Sequence, residues 1–248
     1  MTRVLYCGDT SIDGAAAYLA GLMTAWGWEF DYVPSGQSCQ HLIEQPYQLY
    51  VFSDYPAVLL TDQQQATVLE NVAAGSGLLM IGGWESFHGL GGGWDRSRLA
   101  AALPVEISNA DDRVNADSPV MVQVRDQHHP IARSLPWYER PPVIGGFNRF
   151  VARPDSEVVL EALRFSSQLR EGLFRFQTAS LDPLLVTGKH SLGRTAALAT
   201  DVAPHWVGPL VDWGDSRVTG QAAGSWQIEV GNLYAQFFHQ LLSWTGNR

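Results

Sequence analysis

Apolar residues follow two rhythms along the first third of the chain. Val4-Leu5-Tyr6-Cys7 is a continuous apolar run stopped by Gly8-Asp9, the pattern of a strand buried on both faces. Over residues 15–26 the rhythm changes: Leu19, Leu22, Met23 and Trp26 recur at helical spacing in an alanine-rich stretch, which predicts a helix. Residues 29–33 return to a strand, closed by Pro34-Ser-Gly36, and residues 49–53 form a third, ending at Asp54. Thr61-Asp-Gln-Gln64 has the form of a capping box and opens a helix reaching to about Ala74. Residues 78–81 make a fourth strand that runs into a glycine-punctuated corner, Gly82-Gly-Trp-Glu-Ser-Phe-His-Gly89.

This β-α-β-α-β order implies right-handed crossovers and a mostly parallel central sheet with helices on both faces. The second half has a different pattern. Residues 120–125, 143–151 and 157–163 read as strands with few helices between them, and 183–199 as a hairpin turning around 189–193. Residues 232–244 carry Leu233, Tyr234, Phe237, Phe238, Leu241 and Leu242, a strongly apolar helix that must dock on the core. No repeat, low-complexity tract or linker divides the chain, so residues 1–248 are expected to form one domain, with 136–146 as the candidate excursion or lid.

Composition narrows the class. A formal charge of -9 with nothing basic concentrated along the chain argues against nucleic acid and anionic membranes as partners. There is no apolar run of spanning length and the start of the chain enters a strand directly, so the expectation is a cytoplasmic protein. Two cysteines, Cys7 and Cys39, provide neither a disulfide framework nor a multi-cysteine metal site. Cys7 reads as a small buried residue at a strand end, and Cys39 with His41 as surface scatter on a short helix. Nine tryptophans make self-association an expectation, with no symmetry implied.

In a doubly wound sheet, ligands bind beyond the carboxyl ends of the strands. That rule nominates Asp9, then Ser53 and Asp54, then Trp84 to His88, then Asp201 to Trp206. The bland readings stand beside it: Asp9 and Asp54 closing Asx-type turns, Glu85 and Ser86 capping the loop, His128-His129 turning before Pro130. No G-x-S-x-G surrounds Ser86, because positions 84 and 88 are Trp and His. Neither G-x-x-x-x-G-K-[ST] nor G-x-G-x-x-G follows the first strand, and Gly89-Leu-Gly-Gly-Gly93 reads as a flexible loop, so no cofactor is expected. No His or Cys spacing indicates zinc, and no metal is expected.

Five segments together resemble a known family: Ser53-Asp-Tyr55, Leu78-Leu-Met-Ile-Gly-Gly-Trp-Glu-Ser-Phe-His-Gly89, Asp111-Asp-Arg-Val114, His129-Pro130 and Gly193-Arg-Thr-Ala-Ala-Leu-Ala-Thr-Asp-Val-Ala-Pro-His-Trp206. The chain is similar over nearly its whole length to the glutamine amidotransferase-like family, a branch of the class I glutamine amidotransferase-like fold akin to the ThuA-like trehalose-utilisation proteins. The resemblance implies a flavodoxin-like three-layer α/β sandwich with extra strands and a hairpin in the C-terminal half. It does not carry glutaminase activity over. A glutaminase needs a thiolate at the corner, where this chain has Trp84 and Glu85, and a late His-x-Glu pair, where His205 is followed by Trp206 and Val207.

The expected function is action on, or binding of, a small polar metabolite at the strand-end rim, with a sugar as one candidate. Glu85, Ser86, His205 and Asp54 are the catalytic candidates, with Glu85 moving the proton beside Asp54 or His205. Asp9, Trp84, His88, Arg194, Asp201 and Trp206 are the ligand-binding candidates, and Trp84, Trp206 and Trp213 offer flat faces for a sugar ring. The alternative is a non-catalytic metabolite-binding or assembly module anchored by tryptophan. Metal-assisted hydrolysis through Asp54, His88 and His205 is a weaker third reading, resting on residue type alone.

Overall fold

The computed structural model describes residues 3–39, 42–43 and 46–248. His41 lies outside the described residues. Arg3–Gly8 (β1), Glu29–Val33 (β2), Leu49–Ser53 (β3) and Gly77–Ile81 (β4) pair in parallel, and Gly193–Leu198 (β11) continues the parallel set beside β4. The order β2-β1-β3-β4-β11 is the doubly wound pattern, in which strands are added to one side of β1 and then, from β3 on, to the other. Helices Ala17–Ala25 (α1) and Asp62–Ala73 (α2) make the crossovers. Thr61 caps α2 with both halves of the capping box formed, Thr61 Oγ1 accepting from Gln64 N and Gln64 Oε1 accepting from Thr61 N.

Four antiparallel strands extend the same sheet. Leu173–His190 (β10) pairs with β11, and beyond it lie Glu157–Arg170 (β9), Arg113–Val124 (β6) and Val143–Asn148 (β7). Val105–Ile107 (β5) pairs with Phe150–Ala152 (β8), and Arg217–Gly220 (β12) with Ile228–Gly231 (β13). A short helix, Pro204–Val207 (α3), follows the end of β11. The last helix, Asn232–Thr245 (α4), buries Tyr234, Phe237, Phe238, Leu241 and Leu242 against the sheet. Burying such side chains stabilises by roughly 1.5–3 kcal/mol each, so α4 is welded to the core.

The fold is therefore the flavodoxin-like α/β architecture the sequence pattern implies. Two local readings change. Residues 136–146 are no excursion: Trp137 is buried against Trp213 at 4.6 Å between ring centroids, its Nε1 donates to Ala132 O at 2.8 Å, and the stretch continues into β7. The excursion lies instead in β9 and β10, which run on past the sheet as a long hairpin. Cys39 is not surface scatter either. It is buried with its Sγ 3.2 Å from Cys7 Sγ, because the chain after β2 folds back under the end of β1.

Candidate functional site

Neighbouring strand ends each lift a carboxylate onto one rim. At the end of β1, Gly8 sits at φ +124°, and a Cβ there would lie 1.5 Å from Ser53 O, so only glycine permits the turn. Asp9 (φ +51°) and, at the end of β3, Asp54 (φ +48°) follow in the left-handed region, which aspartate tolerates better than most residues. The β4 corner turns on Gly82, where a Cβ would meet Ala199 O at 1.9 Å. The corner's left-handed side-chain residue is Phe87 (φ +52°), buried against Phe150, and not Trp84 or Glu85. Beyond β11, Asp201 completes the set.

Burial and mutual repulsion govern the protons here. Asp9 is wholly buried, hydrogen-bonded to Tyr6 Oη and, at 2.9 Å, to Ser53 Oγ. Desolvation, then the charge of Asp201, pushes its pKa well above the usual carboxylate range. Asp201 accepts from Val202 N at 2.5 Å and Ala203 N at 3.2 Å, yet burial first and Asp54 second push it up to about 7. Desolvation also raises Asp54 and Glu85, and in Glu85 the charge of Asp54 adds to it. Burial thus favours the protonated form at each of these four carboxyl groups.

The corner is laced to these groups by hydrogen bonds. Asp54 Oδ1 accepts from Glu85 N at 2.6 Å, 31 residues along the chain, so Asp54 does not simply close a local Asx turn. Ser86 Oγ donates to Ile81 O at 2.5 Å and accepts from Asp54 N at 2.9 Å. Behind it, Asn148 Oδ1 accepts from Gly83 N, and Asn148 Nδ2 donates to Asp112 Oδ1 at 2.8 Å. Asp112 also accepts from His88 N and Gly89 N. Sequence reasoning missed Tyr6, Asp112 and Asn148. Asp112 had one signal, its place in the Asp111-Asp-Arg-Val114 segment, while Asn148 is an ordinary residue of β7 until the fold brings it to Gly83.

The other nominated residues separate into two groups. Trp84 is 42% exposed, with the Arg113 guanidinium 4.6 Å over its ring and exposed His205 6.0 Å away, so these two stand at the mouth beside Glu85. His205 also acts electrostatically on Asp54. Trp206 is buried, its Nε1 donating to Asn115 Oδ1 at 2.8 Å, and it packs so closely on Gly146 that a Cβ there would lie 2.4 Å from the ring. Trp213 is buried too, with its Nε1 on Arg140 O. Neither offers a free ring face. His88 Nδ1 pairs with Asp95 at 2.9 Å, away from Asp54 and His205. Arg194 lies at the amino end of β11, opposite the rim, donating to Trp244 O at 2.9 Å. Among the described residues, no three His, Cys, Asp or Glu side chains gather closely enough to hold a metal ion.

The carboxylates gather beyond the strand ends of a doubly wound sheet, the place the strand-end rule nominates, and the flavodoxin-like sheet beneath them is what the sequence resemblance implies. The profile of the family described as "Putative glutamine amidotransferase" (GATase1_like) matches residues 63–219, more than half of the chain. The chain belongs to this glutamine amidotransferase-like family. Solved structures similar to it include two titled cytoplasmic proteins of Salmonella typhimurium. STM3548 is 24% identical with TM-score 0.73, covering 98% of each chain. STM1381 is 23% identical with TM-score 0.72, covering 98% of this chain and 99% of its own. A ThuA-like protein from Parabacteroides merdae is 12% identical with TM-score 0.54, covering 99% of this chain and 90% of its own. At these identities the likeness is one of fold. No curated protein matches the sequence. Among the described residues no helix is long and apolar enough to cross a membrane.

Proposed function

We propose that this glutamine amidotransferase-like domain binds a small polar metabolite at the strand-end rim and carries out acid–base chemistry on it. One observation supports this reading above the rest: half-buried Glu85, its pKa raised by desolvation and then by Asp54, stands at the edge of a cluster of carboxyl groups that burial likewise pushes upward. A carboxyl group poised nearer neutrality is suited to give or take a proton in the transition state. Asp54 grips the Glu85 backbone and sets its electrostatics, His205 stands exposed beside Trp84 on the rim, and Trp84, with Arg113 over its ring, leaves part of that ring open to a sugar. Ser86, with its hydroxyl engaged in both directions, holds the corner in place. Thioester chemistry is not part of the proposal. Residues 82–89 contain no cysteine, and Cys7 and Cys39 are buried against each other.

The test is a thermal-shift screen of wild type and Glu85→Gln against sugars, sugar acids and amino acids. A ligand at ~100 times its Kd stabilises the native state by about 2.7 kcal/mol, which a melting curve resolves without any assay of turnover. The expected result is a hit on wild type whose shift changes in Glu85→Gln. Given such a hit, turnover at the wild-type rate in Glu85→Gln would eliminate Glu85 as the proton-transfer group. The second reading, a non-catalytic binding module, draws support from the hydrogen bonds that tie Asp54 and Ser86 to the corner backbone. It predicts a ligand that binds wild type and is recovered unchanged.

A further inference from the structure

The hairpin formed by the outer parts of β9 and β10 has two chemically different faces. Its sequence alternates: Leu163-Arg-Phe-Ser-Ser-Gln-Leu-Arg170 going out, Leu173-Phe-Arg-Phe-Gln-Thr178 coming back. In register, Phe165 lies opposite Thr178, Ser167 opposite Phe176 and Leu169 opposite Phe174, which puts all six on one face. Phe165 and Phe176 touch edge to face at 5.8 Å. At the root, Leu163 pairs with both Leu181 and Met121 and carries the same face onto the body. The opposite face carries Ser166, Gln168 and Arg170 against Gln177, Arg175 and, at the tip, Leu173.

Among the described residues, nothing covers the apolar face. Leu169 is 63% exposed, Phe174 67% and Phe176 68%. Pairing of β9 with β6 stops at Leu163, and pairing of β10 with β11 begins only at Leu185, so both edges of the arm are open. Seven residues beyond Leu163 reach ~23 Å from the sheet. A two-stranded hairpin is marginal in water on its own, and an apolar strip of this extent marks an interaction surface.

We propose that the arm is a dimerisation device: two copies of this chain lay their arms antiparallel, apolar face to apolar face, about a two-fold axis. Three features fit a second copy. First, residues 163–178 carry Arg164, Arg170 and Arg175 against Glu171, a charge of +2 in a chain of -9, so the remainder carries -11. A cationic arm on an acidic body is complementary to another copy of itself. Second, the apolar face carries no charged residue in register from Leu163 to Leu169 and from Phe174 to Thr178, so two copies meet there without burying an ion. Third, the root holds a hollow of about 270 Å³ lined by Met121, Leu163, Phe165, Phe176 and Thr178, placed to receive the partner's tip side chains. Phe174 and Phe176, two-thirds exposed, alone offer roughly 200–340 Å² per copy. Leu169, Leu181 and the root residues extend this toward the ~800 Å² per partner of a specific interface. The contact is isologous, so it closes at two copies and leaves no free arm.

Sedimentation velocity across the micromolar range tests the proposal. Wild type is expected to sediment as a dimer that dissociates on dilution. The double variant Phe174→Glu/Phe176→Glu is expected to be monomeric, with an unchanged far-UV circular dichroism spectrum to show that the body still folds. Leu169→Glu, on the apolar face, is expected to weaken the dimer by several-fold in Kd. In Ser167→Cys, mid-arm on the apolar face, a mild oxidant is expected to cross-link the two copies through the new thiols, the native cysteines being buried. A wild type that stays monomeric at every concentration overturns the proposal and leaves the arm to a different protein or a lipid surface. A double variant that remains dimeric also overturns it, by placing the interface elsewhere.

Discussion

Asp201 concentrates the unusual electrostatics of this molecule in one side chain. Its pKa is about 7 in the folded protein, raised first by burial and then by Asp54, against ~3.9 for an ordinary aspartate. The unfolded chain therefore releases this proton at lower pH than the folded protein does. Between about pH 4 and pH 7 the native state binds more protons, so stability falls as pH rises, by at most ~1.4 kcal/mol per pH unit for one group. Asp201→Asn, which cannot ionise, is expected to melt with a flatter pH profile over that window and to gain stability relative to wild type toward pH 7. Parallel profiles for the two proteins would show that Asp201 is ionised at its ordinary pKa. The cysteines give a second residue-scale test. Both are buried; burial pushes the Cys7 thiol's pKa up while the hydrogen bond with Cys7 lowers that of Cys39, so it is burial that should keep both from a thiol reagent in the native protein, and both should react on unfolding. Rapid native labelling of Cys39 would mean that its segment opens in solution.

Elements hold the site through their ends. Helix α2 is fixed by Thr61, whose cap satisfies Gln64 N, and Thr61→Ala is expected to cost about 1 kcal/mol with the rim untouched. The corner depends on β7, where Asn148 closes a bridge between Gly83 and Asp112. Asn148→Ala leaves buried Gly83 N without its partner and removes one of the two donors to Asp112 Oδ1, which keeps Gly89 N, an expected loss of about 1–3 kcal/mol read by chemical denaturation. Ligand stabilisation should fall with it, because the same bridge positions Trp84 and Glu85. A variant as stable as wild type would show that water or a shifted loop replaces the bridge. The capping box was readable from Thr61-Asp-Gln-Gln64 because a cap is a local affair. The Asn148 bridge was not, since its partners lie 65 and 36 residues away.

Across the whole molecule, β11 joins the parallel and antiparallel halves, pairing with β4 on one side and β10 on the other. Its residues Ala196, Ala197 and Leu198 are buried, and α4 packs over the junction. One cooperative unfolding transition is expected in calorimetry, with calorimetric and van't Hoff enthalpies in agreement. Two separated transitions would divide the chain into two folding units.

The sequence by itself determined the parallel half of this protein. Continuous apolar runs, helical spacing and a capping box are short-range patterns, and they sufficed for β1 to β4, α1, α2 and α4, for the doubly wound class and for the rim where Asp9, Asp54, Glu85 and Asp201 meet. Only the tertiary structure decided which rim residues face solvent. Trp84 and Trp206 are equally aromatic and lie near equivalent strand ends, yet one stands at the mouth and the other is packed on Gly146. It also decided that Arg194 sits at the wrong end of its strand, that Cys39 lies against Cys7, and that residues 163–178 form an uncovered arm. Each of these depends on what a distant segment brings alongside, and the period of a strand tells which residues share a face without telling whether anything covers it.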